Sequence, residues 1–211
     1  MSQALEALFG KYPDIASCRD DIVAAYEVMR ESYANGGKAL FCGNGGSASD
    51  SEHIVGELMK GFMSRRQVGE AERARWIEAY GEEGHYLADH LQGGLPAISL
   101  VSHTALLTAF INDVAADMMF AQQVYGYGKP GDVLVGLSTS GNSANVVRAV
   151  QVAKLRGVKT IGLTGRSGGK MASLCDVTIR VPKDSTPDVQ ERHLPIYHAI
   201  CIMLEEEFFG K

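Results

Sequence analysis

The chain has no apolar run approaching the ~20 residues that a membrane-spanning helix needs. Its four cysteines, Cys18, Cys42, Cys175 and Cys201, are scattered and nowhere form a C-x-x-C pair. Their spacing argues against a thiolate metal site or a disulfide framework and for buried thiols in the cytoplasm. No basic stripe breaks the mixed charge and the net charge is −5, so no nucleic-acid partner is expected. Residues 1–12 lack a basic segment followed by an apolar one, so no signal peptide is expected. No repeat, low-complexity tract or linker divides the sequence. Its 211 residues, 45% of them hydrophobic, predict one domain over 1–211 with a sizeable core.

What is present is an alternation of short apolar runs with helical patterns. Segments 38–42, 96–101, 132–137, 158–163 and 176–181 read as buried strands. Helical spacing fills 48–62, 103–110, 115–127, 146–155 and 188–208. Residues 1–35 read as an N-terminal helical hairpin, divided at Pro13 and stopped by Asn35-Gly36-Gly37. The alternation predicts an α/β fold, a doubly wound five-stranded parallel sheet flanked by helices. Segment 63–94 is polar with mixed charge and reads as a helical insertion, a solvated helix and loop, with a lid or a subunit contact as the functional alternatives.

Two turns stand out. Ser138-Thr139-Ser140-Gly141-Asn142-Ser143 follows a strand and precedes a helix. Free N–H groups at a helix start, together with the dipole, favour an anion there, and the hydroxyls add donors. The turn contains no lysine, so it is not a nucleotide P-loop; a phosphate ester is the expected ligand. Gly43-Asn44-Gly45-Gly46-Ser47 is a second strand-to-helix turn. It lacks the G-x-G-x-x-G ending, and no acidic residue on a second strand matches, so a nicotinamide cofactor is not expected. Both turns, with Asn112-Asp113, are expected at the carboxyl edge of the sheet, where such folds bind ligands.

His53 and Glu57 are four residues apart, on one helical face, where they suit either a divalent metal or acid–base work. Gln190 and His198 are eight apart on the last helix and converge only on a point between two helices. His193 reads as a polar-face residue, and His85, His90 and His103 as structural or solvated.

Taken together, these motifs resemble the sedoheptulose-7-phosphate isomerase (phosphoheptose isomerase) family of the sugar isomerase (SIS) superfamily. The resemblance runs from about residue 20 to the C-terminus, apart from 63–94. It implies that Ser138, Thr139, Ser140 and Ser143 bind the sugar phosphate. It implies substrate contacts for Asn44, Gly45, Gly46, Glu57, Asn112, Asp113 and Gln190. It implies one zinc ion per site, held by His53, Glu57, Gln190 and His198, with Glu57 as catalytic base and His198 as catalytic acid. It further implies a cytoplasmic homotetramer with sites built from more than one subunit. The family carries a basic residue where this chain has Gly61, so Lys60, Arg65 and Arg66 are the candidates to replace it. Pro195 is expected to kink the last helix.

Two other readings compete. One is a non-catalytic SIS scaffold that binds the replication initiator; a scaffold has no physical need of a metal-capable set. The other is a different sugar-phosphate isomerase, or an N-acetylmuramate 6-phosphate etherase, against which His53, Glu57, Gln190 and His198 argue.

Overall fold

The computed structural model describes residues 2–210. The chain opens with α1 (Gln3–Lys11), a 3-10 turn (Pro13–Cys18) and α2 (Arg19–Ala34). There follow β1 (Ala39–Gly43), α3 (Gly46–Met59), α4 (Glu70–Tyr80), α5 (Glu82–His90), β2 (Ala97–Ser99) and α6 (Thr104–Asp113). The second half holds α7 (Met119–Tyr127), β3 (Val133–Leu137), α8 (Ala144–Leu155), β4 (Lys159–Thr164), α9 (Met171–Leu174), β5 (Val177–Arg180) and α10 (Thr186–Phe209). All five strands are parallel, in the order β2-β1-β3-β4-β5.

Both faces of this sheet are covered, which is why its strands read as continuous apolar runs rather than alternating ones. Ala39, Phe41, Val133, Val135, Leu137, Ile161 and Leu163 face α1, α2, α3 and α10. Leu40, Cys42 and Leu134 face α7, α8 and α9. The N-terminal helices contribute Leu5, Leu8, Ile15, Ile22, Ala25 and Met29 to the first of these cores. β2 is shorter than its apolar run, because Ala97, Ile98 and Ser99 alone register against β1. No helix among the described residues is long and apolar enough to cross a membrane.

Segment 63–94 resolves into the hairpin α4–α5. α4 buries no residue, and an Arg73–Asp89 ion pair links the two helices. α6 also buries no residue, although its sequence is apolar, and Leu106 and Ile111 are exposed on it. α10 runs unbroken through Pro195, starting at a Ser185 cap whose side chain accepts from the Asp188 N–H.

His193 differs from its sequence reading: it is fully buried under the end of β4, with Nε2 3.3 Å from the Thr164 carbonyl. Burial pushes its imidazole down to about 4, partly opposed by the Thr164 contact. The folded state therefore keeps His193 neutral, while the unfolded chain protonates it near the ordinary imidazole value of 6.5. Its stabilising contribution is complete above that pH and is lost as pH falls toward 4; a difference of this size is worth about 3 kcal/mol. The Thr164 carbonyl also accepts from the Val181 N–H, so His193→Leu leaves it paired. Unfolding free energies measured between pH 7 and 4 should fall less steeply for His193→Leu than for the unmodified chain; equal slopes would contradict this assignment.

Candidate active site

The strand order reverses between β1 and β3, and α3 and α8 leave the sheet there toward opposite faces. Open parallel sheets bind ligands outside the carboxyl ends of the strands at such a point. Gly43 pairs with Leu137, so the Gly-rich and Ser-rich turns begin level with each other. Asn44 and Asn145 join them with two reciprocal amide hydrogen bonds, 2.9 and 2.8 Å. Asn145 Oδ1 also accepts from the Val146 N–H in the first turn of α8, at 3.0 Å.

The Ser-rich turn is held open. Ser138 is buried at the end of β3, its hydroxyl 2.9 Å from that of Ser143. Ser143 occupies the cap position of α8, yet its side chain makes no capping bond. The turn thus keeps donor capacity at a helix start, as an anion site requires. Gly141 is obligatory: its φ is +65°, and a Cβ would stand 2.0 Å from the Gly168 carbonyl oxygen. Asn142 Oδ1 accepts from the Lys170 N–H at 3.0 Å, fastening the turn to the segment before α9.

α3 starts at Gly46, also without a side-chain cap. α10 lies beside it and runs in the same direction, so the two helices meet at three levels. At the first, the Gln190 carboxamide rests over Gly46, where a Cβ would come within 2.5 Å of Nε2. At the second, His53 Nε2 is 3.1 Å from Glu57 Oε1 and 3.4 Å from His198 Nε2. Lys60 Nζ donates to Glu57 Oε2 at 3.0 Å. Burial, then the neighbouring His53, hold the His198 imidazole below its ordinary range, against the pull of Glu57. At the third, Glu205 accepts from the N–H groups of Phe62 and Met63 (2.7 and 2.8 Å) and from Arg66 Nε at 2.8 Å.

Of the candidates to replace the expected basic residue, Arg66 is excluded from ligand contact. It is 1% exposed, and its guanidinium donates to the carbonyls of Leu58 and Glu57 at 2.6 and 2.9 Å. Burial alone would raise the Glu205 carboxyl, but the two N–H groups and Arg66 outweigh it and hold it below the usual range. Arg65 is exposed, and Lys60 is the basic group already at the site. Asn112 and Asp113 end α6 and are exposed, the amide of one donating to the carboxylate of the other at 2.8 Å. They stand a full helix beyond β2, at the end of the helix that the 103–110 pattern predicts.

The donor set suits zinc in chemistry and in spacing. Two nitrogens at ~2.0–2.1 Å from one tetrahedral zinc stand about 3.4 Å apart, the separation of the two Nε2 atoms. Among the described residues no three His, Cys, Asp or Glu side chains already form a metal-holding group, since both contacts run through His53. Gln190 lies about 12 Å along α10 from His198, at ~1.5 Å per residue, so the two side chains must lean toward each other to share an ion.

Three supporting residues were not marked by sequence reasoning. Asn145 was visible as an amide beside the serines but without a partner. Tyr197 meets His53 from α10, and its hydroxyl donates to Asp50, one turn before His53 on α3 and 147 positions from Tyr197 in sequence.

Comparison with known proteins agrees with this geometry. The SIS domain model matches residues 87–165, which carry the Ser-rich turn. The phosphoheptose isomerase of Rhodospirillum rubrum is 42% identical over 192 residues, covering 91% of this chain and 88% of that protein. The phosphoheptose isomerase structure from Neisseria gonorrhoeae superposes with a TM-score of 0.70 at 35% identity, covering 94% of this chain and 98% of that one. The structure from Francisella tularensis gives 0.73 at 29% identity, covering 97% and 100%. On a shared fold and this extent of sequence identity, the chain belongs to the phosphoheptose isomerase family of SIS-domain proteins.

Proposed function

We propose that the chain is an aldose–ketose isomerase that converts sedoheptulose 7-phosphate into D-glycero-D-manno-heptose 7-phosphate, the first step of heptose nucleotide biosynthesis. The observation that carries this reading is the pairing of two stations at one edge of the sheet. A hydroxyl-lined helix start sits at the β1–β3 edge, and a Glu57, His53 and His198 cluster sits two helical turns along α3. A sugar phosphate anchored by Ser138, Thr139, Ser140 and Ser143 would carry its C1 and C2 toward that cluster. Asn44, Gly45 and Gly46 lie between the two, and Gln190 covers Gly46. The scaffold reading gains nothing from the convergence of these groups.

The reaction moves one proton between neighbouring carbons. Glu57 takes a proton from C1 while His198 gives one to the C2 carbonyl oxygen, leaving an enediol. His198 then takes the proton of the C1 hydroxyl as Glu57 returns its own to C2, and the C1 aldehyde forms. Lys60 holds the second oxygen of Glu57, which aims the first. Zinc would be held by His53, Glu57 and His198, with Gln190 as the fourth donor, and when bound it would polarise the two oxygens of the substrate.

A homotetramer with shared sites belongs to the same reading. It is supported by α6, whose Leu106 and Ile111 are exposed in one copy and whose last residues are Asn112 and Asp113. A partner subunit over α6 would bring that pair to a site. A cytoplasmic setting is supported by four free cysteines, three of them buried.

Glu57→Gln should fold and still bind substrate but lose at least ~100-fold in turnover; near-normal turnover in a coupled assay would remove Glu57 as the base. Asn145→Ala should raise KM about tenfold with a smaller change in kcat, as expected for the loss of two hydrogen bonds worth ~0.5–1.5 kcal/mol each. An unchanged KM would show that the amide pair does not shape the substrate site.

A further inference from the structure

Glu57 and His198 account for one nitrogen of His53 and leave the other. His53 Nδ1 lies 3.0 Å from Tyr197 Oη, and Tyr197 donates its hydroxyl proton to Asp50 Oδ1 at 3.1 Å. Tyr197 is 3% exposed, and a phenol keeps its proton at neutral pH. Its ring stands edge-on to both imidazoles, 5.6 Å from His53 at 77° and 5.0 Å from His198 at 89°. Tyr197 neighbours His198 on α10, and Asp50 sits one turn before His53 on α3.

Three heavy atoms, Asp50 Oδ1, Tyr197 Oη and His53 Nδ1, thus make two contacts in a row, and each contact needs one proton. A carboxylate brings none and a phenol brings one. The second must come from the imidazole, with Nδ1–H donating to Oη. The other ring nitrogen, Nε2, faces Glu57 Oε1 at 3.1 Å and His198 Nε2 at 3.4 Å. A nitrogen beside a carboxylate takes a proton or a cation there, and with Nδ1–H engaged by Tyr197 it is Nε2 that is left for the cation. Metal-binding histidines are commonly fixed in this way through the ring nitrogen that does not bind.

We propose that Tyr197, ordered by Asp50, is a positioning residue that keeps a proton of His53 on Nδ1, so that Nε2 is the nitrogen offered toward Glu57 and His198. The purpose of this proton rests on the zinc reading above; its existence does not.

The Nδ1 proton is read directly in the full-length, metal-free protein with 15N-labelled histidine, by long-range proton–nitrogen correlation, with His53 assigned by its absence in His53→Gln. A protonated Nδ1 supports the proposal, and a bare Nδ1 overturns it. Tyr197→Phe keeps the ring and removes the hydroxyl. Zinc chloride titrated against a chelating dye should bind this variant about 10–100-fold more weakly than the unmodified chain; equal affinity at equal melting temperature overturns the proposal. If Tyr197→Phe does not fold, the Nδ1 proton of the unmodified chain decides alone. If the unmodified chain binds no zinc, the zinc reading fails, and the Nδ1 proton still decides the role of Tyr197.

Discussion

Arg66 and Glu205 form an ion pair with almost no solvent contact, and the register of α3 against α10 depends on it. Arg66 holds the last carbonyls of α3, while Glu205 gathers the N–H groups that follow the helix. A buried pair adds little net stability over an apolar one of the same shape, but leaving either partner alone costs several kcal/mol. Its effect is therefore on registry: a slip of α10 by one residue would leave two buried charges unmatched. Glu57 accepts from Arg66 through its own carbonyl, so the pair that sets the register also fixes the backbone from which the proposed base projects.

From that register the rest of the site follows. Two helices that run in the same direction present matching faces at successive levels. Gln190 stands over Gly46, His198 and Tyr197 over His53, and Glu205 over the end of α3. The sheet contributes a second constraint. Because β1 and β3 are neighbours, their two turns emerge together, and the Asn44–Asn145 amide pair ties them. One end of the site is thus a rigid anion seat and the other a cluster of proton-carrying groups, connected through α3.

Much of this was legible in the residues. The five apolar runs read as strands because both faces of the sheet are buried, and the serines beside a helix start read as an anion site whatever the fold. His53 and Glu57 were legible because a helix puts residues four apart on one face. Contacts between distant segments were not. Arg66 looked like a surface cation in a run of charge, and its partner lies 139 positions away. His193 looked polar because helical spacing does not tell which face meets a strand end. Asn112 and Asp113 were legible as the end of the helical pattern over 103–110, but not the exposure of the apolar residues of α6 before them. The 63–94 segment reads as polar because α4 packs only one side against α5 and buries nothing.

The central claim is that the two stations act on one sugar phosphate, one holding its phosphate and the other moving a proton between C1 and C2. The most direct measurement is NMR of sedoheptulose 7-phosphate incubated with the full-length protein in deuterated water, with and without a chelator. The account predicts deuterium at C1 of the recovered ketose and at C2 of the aldose. A substrate that stays fully protonated at both carbons, in the presence of protein shown by circular dichroism to be folded, would contradict it.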